Sequence, residues 1–175
     1  LIKNNIKVLT PIRFNKKAEF FDYEIIVADS ETAEATEILM REEYPEIKFY
    51  PFKKNVGFQI LLEKGIKESA APYVIALNSD IIVTASSVES LLEYIKTHDE
   101  VGIAAPKLIN FNGTLQYSCF RFYRPVTIAY RRTFLKNFKF AQKHLDWFLM
   151  KDYDHKTTKE VDWIMGSALI VSKKA

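Results

Sequence analysis

The sequence predicts an α/β fold, a doubly wound and mostly parallel sheet with helices on both faces. Three observations carry that expectation. Short strand-like runs at Tyr23 to Ala28, Ile47 to Phe52 and Tyr73 to Leu77 alternate with segments of helical spacing, the pattern of repeated βαβ units. The run Tyr73 to Leu77 (YVIAL) is apolar throughout, as a strand covered on both faces requires. The first run leads at once into Asp29, and the third leads into Asp80 through Asn78-Ser79. Ligands of open α/β sheets bind beyond the carboxyl ends of the strands, so both carboxylates are placed on the rim of one crevice.

Taken in order, Tyr23 to Ala28 (YEIIVA) is a strand ending at Asp29-Ser30, and Glu31 to Glu43 has helical composition up to Pro45, which stops it. Ile47 to Phe52 is the second strand, and Asn55 and Gly57 in NVGF form the turn into a helix whose face is marked by Leu61, Leu62 and Ile66. Phe58 on that helix is expected in the core. After the third strand, Ser86 with Glu89 reads as a capping box opening a helix from Val88 to Thr97. Beyond Val101 to Ala105 the pattern changes, and Leu108 to Phe111 and Thr114 to Tyr117 flank Asn112-Gly113, a favoured two-residue hairpin turn.

The stretch from Arg121 to Met150 carries seven basic residues against Asp146 alone, interleaved with aromatics. Phe134 and Phe138 recur at helical spacing, which favours an amphipathic helix pair covering the sheet. The other reading of this stretch is contact with an anionic membrane face.

At 175 residues and 48% apolar content the chain is sized for one domain. A net charge of +3 demands no polyanionic partner, and 14% aromatic residues argue against disorder. The single cysteine, Cys119, has no partner for an intramolecular disulfide and fits a reducing, cytoplasmic compartment. No apolar run is long enough to span a bilayer, and the start, with Lys3 and Lys7 among polar residues, lacks a signal-peptide core. His98, His144 and His155 have no metal-ligand spacing and are expected at the surface, with a loop approach of His155 to a metal as the alternative.

Four stretches in series, EIIVADS, NVGF, YVIALNSDIIV and VDWIMGSALIVSKKA, together with VGIAAPKLINFNGTLQYSCFRF between the last two, resemble family 2 glycosyltransferases of the GT-A fold. The rhamnosyltransferase-like branch is the most similar. The resemblance implies a single GT-A domain over 1–175, with a nucleotide-sugar-binding part at 1–105 and an incomplete acceptor-side part at 106–175. It departs from the family at Ile6 to Pro11 (IKVLTP), a vague counterpart of the opening strand, and after Asp29-Ser30, where Glu31 and Thr32 stand in place of a Gly-containing turn.

What the resemblance implies for chemistry is inverting hexosyl transfer from a dTDP- or UDP-linked sugar to a saccharide or lipid-linked saccharide, in polysaccharide synthesis at the inner face of a membrane. Donor-binding residues would be Asp29, Asn55, Asn78, Ser79 and Asp80. Asp29 would accept a hydrogen bond from the base imide, and Asp80 would hold magnesium or manganese. These ions take hard oxygen ligands, commonly one or two carboxylates plus substrate phosphates. Asn78 replaces the first acid of the common Asp-x-Asp form and leaves an amide for ribose or donor sugar. Asp162, Trp163, Gly166 and Ser167 correspond to the acceptor side, Trp163 as a sugar-stacking ring. The general base is expected in an acidic pair beyond Ala175, with Asp162 the candidate inside the chain.

Each of these residues has a plainer reading. Asp80 after a strand is often a turn or cap carboxylate, Asp29 or Ser30 can cap the following helix, Gly57 can serve a turn alone, and Trp163 in an apolar strand can pack inside. The five glycines form neither a dinucleotide fingerprint nor a P-loop, which disfavours a nicotinamide dehydrogenase. A nucleotidyltransferase is a remote alternative. The competing class is a non-catalytic module binding nucleotide, or nucleic acid through the basic aromatic stretch. Nucleic-acid binding would show a steep salt slope on oligonucleotides and is not expected.

Overall fold

The computed structural model describes residues 23–175, and the expected opening segment at Ile6 to Pro11 lies outside the described residues. The chain divides into two compact units, one of residues 23–104 with 167–175, the other of 105–166. The boundary near 105 coincides with the change of sequence pattern. The last segment, expected with the acceptor side, folds instead with the first unit.

The first unit opens with β1 (Ile26–Ser30), α1 (Glu34–Glu43) and β2 (Lys48–Phe52). β1 and β2 pair in parallel, Val27 opposite Phe49 and Asp29 opposite Pro51, and α1 supplies the crossover that a parallel pair needs. Met40 of α1 is buried with Ile47, packed by Ile25, Val27, Tyr44 and Phe49. α2 (Gly57–Glu68) follows and lies against β1 and against β3 (Tyr73–Leu77). Then come α3 (Ala85–Thr97) and the short β4 (Ile103–Ala104).

The last strand of the chain, numbered β9 (Ala168–Ser172), inserts between β3 and β4 and pairs antiparallel with both. The α/β class therefore holds, while strand direction is mixed rather than mostly parallel. The reason is long-range pairing: β9 returns from the 105–166 segment to hydrogen-bond antiparallel with β3 and β4. It is also the best-buried strand, with Ile170 fully inaccessible and Ala168, Leu169 and Ser172 buried.

The second unit holds β5 (Leu108–Ile109), β6 (Leu115–Gln116), β7 (Cys119–Phe120), α4 (Pro125–Arg132), a 3-10 turn (Phe134–Asn137), α5 (Lys139–Phe148) and β8 (Trp163–Ile164). The hairpin forms, but its loop has three residues. Asn110 N–H donates to Thr114 O and Gly113 N–H to Asn110 O, with Gly113 at φ 81°. A turn followed by a left-handed residue is the usual three-residue loop, and glycine takes that position without steric cost.

Rings make the core of this unit. Phe120 stacks on Trp163 at 4.2 Å and on Phe148 at 5.5 Å, and Tyr123 meets Phe148 at 4.6 Å. Pro125 stands at the first helical position of α4, where its missing N–H costs nothing. Thr127 is fully buried between the helices, its hydroxyl accepting Arg124 N–H and bonded to His144 Nε2 at 2.7 Å. Arg121 donates two bonds to Asp152, at 2.9 and 2.6 Å, and another to Trp147 O, tying β7 to the end of α5.

Candidate functional site

Inside the first unit, β1, β3 and α2 bound a cleft of about 700 Å3. Its walls are apolar, formed by Ile25–Ala28 and Tyr73–Leu77 with Phe58, Leu61 and Leu62. The polar groups gather at the carboxyl ends of the two strands, where Asp29, Asn78, Ser79 and Asp80 all line the same cleft. Phe58, expected in the core, is half exposed on this wall.

The turn at Asn78 is held from two sides. Its N–H donates to Ser167 O at 2.9 Å, and its carbonyl accepts Ile81 N–H at 3.2 Å. The backbone thus reverses at once after β3 and leaves Ser79 and Asp80 exposed at the rim. Helix α3 begins earlier than expected: Thr84, in extended geometry, is its cap and accepts Ser87 N–H at 3.3 Å. This replaces the Ser86 and Glu89 box and leaves Asp80 without a capping role.

Asp29 lies within the paired end of β1, not after it. Its carbonyl accepts the Thr32 hydroxyl at 3.0 Å, and α1 is capped by Ala33 with no side-chain bond, so neither Asp29 nor Ser30 caps that helix. Ser30 has a different use. Its hydroxyl accepts Val56 N–H at 3.0 Å and donates to Lys54 O at 3.2 Å, fastening the NVGF turn to the end of β1. Glu31, where the family carries a glycine-containing turn, adopts φ 56°, a left-handed conformation that costs a non-glycine residue energy.

Asn55 belongs to that turn. Its Oδ1 accepts Gly57 N–H at 3.1 Å and its amide donates to Glu31 at 3.2 Å, while Gly57 sits at φ 78°. Asn55 is exposed and does not line the cleft. Of the acceptor-side residues, Ser167 alone belongs to the first unit, bonded to Asn78 through its carbonyl; Asp162, Trp163 and Gly166 belong to the second. Asp162 is exposed, and its carboxylate accepts Phe122 N–H at 2.8 Å. Trp163 stacks on Phe120 and donates its indole N–H to Arg121 O at 3.0 Å, so one ring face and the polar edge are committed to packing.

The three histidines are half-buried rather than at the surface. His98 stacks on Tyr94 at 4.2 Å, His144 bonds Thr127, and His155 lies between Tyr117 and Tyr153 with Nδ1 3.8 Å from Cys119 Sγ. Burial pushes the Cys119 thiol up from its ordinary value, as for a packed thiol rather than a nucleophile. Among the described residues no group of three or more His, Cys, Asp or Glu could hold a metal ion by itself.

Sequence reasoning missed the Ser30 clasp and the Ser167 bond to Asn78. The first had a signal, a hydroxyl at a strand end. The second had none, because it joins residues far apart in the chain.

No curated protein matches the chain. The model of Glycosyl transferase family 2 matches residues 12–156, a span that takes in the cleft strands, the Asn78-Ser79-Asp80 turn and the aromatic helices. With that span and the two strand-end carboxylates on one cleft, the chain belongs to glycosyl transferase family 2 and is a glycosyltransferase that draws on a nucleotide-sugar donor.

Proposed function

We propose that this protein transfers a hexosyl group from a dTDP- or UDP-linked sugar, with inversion and with the help of magnesium or manganese, to a saccharide or lipid-linked saccharide in polysaccharide synthesis. The observation that carries the reading is the convergence of Asp29 and Asn78–Asp80 on the rim of one cleft. Asp29, half-buried at the end of β1, accepts the imide N–H of the pyrimidine and would lose that partner if the base lacked the donor. Asn78, its backbone fixed by Ser167, presents an amide to ribose or donor sugar. Asp80 would hold the cation, whose chemistry is to neutralise charge developing on the diphosphate leaving group.

Asp162 is the acceptor-side carboxylate that the resemblance offers as a base inside the chain; it is exposed and accepts Phe122 N–H. The same reading places the protein in the cytoplasm, at the inner membrane face, through residues 121–150.

Calorimetry of UDP and dTDP with and without magnesium tests this. Wild type should bind only with the cation present, and Asp80→Ala should lower metal-dependent affinity by about 100-fold or more. Equal, tight binding without metal would overturn the metal assignment.

A further inference from the structure

We propose that the turn between α4 and α5 is a docking wedge for anionic phospholipid bilayers. The inference sharpens the membrane contact assigned to 121–150 and is independent of the donor site. α4 and α5 bury Thr127, Ala141 and Phe148 against their own unit. The 3-10 turn that joins them throws the next aromatics outward: Phe134 is 72%, Phe138 48% and Phe140 56% exposed. These rings touch one another. Phe134 meets Phe138 at 6.4 Å, and Phe138 stacks on Phe140 at 5.6 Å. Single exposed apolar residues are ordinary, but a contiguous cluster marks an interaction surface.

Charge identifies the partner. Arg132, Lys136, Lys139 and Lys143 are exposed around the rings and have no acidic partner among the described residues. No Asp or Glu occurs between Arg121 and Leu145, and the nearest acid, Asp146, is paired with Lys151 at 2.6 Å. A cluster of phenyl rings within a cationic rim matches the boundary between acyl chains and anionic headgroups: the rings enter the apolar layer, and the ammonium groups stay at the phosphates. No helix among the described residues is long and apolar enough to cross a membrane, so this surface would lie on the bilayer.

Sedimentation of the whole chain with vesicles of phosphatidylcholine alone, and with about one third phosphatidylserine, tests the proposal. Wild type should bind the anionic vesicles at least about tenfold better, and added salt should weaken that binding. A combined Phe134→Ser, Phe138→Ser and Phe140→Ser variant should lose about tenfold, and so should Lys136→Glu with Lys139→Glu, while metal-dependent UDP binding is unchanged in both. Because these side chains are exposed, the unchanged UDP affinity and circular dichroism confirm folding. Vesicle binding indifferent to phosphatidylserine or to both variants overturns the proposal. So does a wild-type dimer in light scattering that the phenylalanine variant dissolves, or tighter, salt-sensitive binding to a single-stranded oligonucleotide than to anionic vesicles.

Discussion

The two units use apolar side chains in opposite ways. In the first, Ile26–Ala28 of β1 and all of β3 are apolar yet only half-buried, and they line the walls of a cleft. In the second, rings close on one another until Phe148 and Phe120 are lost from solvent, and Phe134, Phe138 and Phe140 are turned outward among the cations. The difference teaches where each unit keeps its chemistry. The first holds a polar rim above an apolar wall. The second holds no comparable rim and offers a surface.

The largest effect on this contrast should come from the ring core. Phe148→Ala removes a ring packed by Phe120, Tyr123 and Trp163 and is expected to cost about 3–5 kcal/mol, read in urea titration, with hydrogen-exchange protection falling across 119–164. A loss below about 1 kcal/mol would mean that these rings are not a core. Next comes β9 in the first unit, where Ile170→Ala empties the centre of the β3–β9–β4 sheet. About 2–4 kcal/mol is expected, with exchange rising in Tyr73–Leu77.

The smallest effect is acid-dependent. Lys48 and then Ala70 N–H hold the Glu24 carboxyl below its ordinary value, at 2.6 Å each. A carboxyl depressed in the folded state contributes stability above its unfolded pKa and loses it as pH falls through the folded one. Glu24→Gln should therefore flatten the acid limb of the stability curve of the first unit and leave the alkaline limb unchanged. An unchanged acid limb would show the ion pair to be solvent-screened, the common fate of exposed pairs.

Much of the site was legible because its signals are local. A strand ending in Asp29 and another leading into Asn78-Ser79-Asp80 place their carboxylates by chain geometry alone, and both line the cleft. Exclusion of the cap roles was not legible. Thr84 and Ala33 became the caps because backbone dihedrals at those positions turned extended, which residue type only biases. The hairpin was read correctly as a hairpin at Asn112-Gly113, but its loop length depended on the Asn110 to Thr114 pairing across it.

By itself, then, the sequence determined the α/β class, the alternating elements, the two strand-end carboxylates and the basic aromatic stretch, since each follows from side-chain period, turn residues or composition within a short window. Tertiary structure alone decided that β9 runs antiparallel between β3 and β4, that Ser167 fixes Asn78, that Trp163 stacks on Phe120, and which phenylalanines face water. Those choices set distant segments against one another, and their energies depend on packing and pairing that no local window contains.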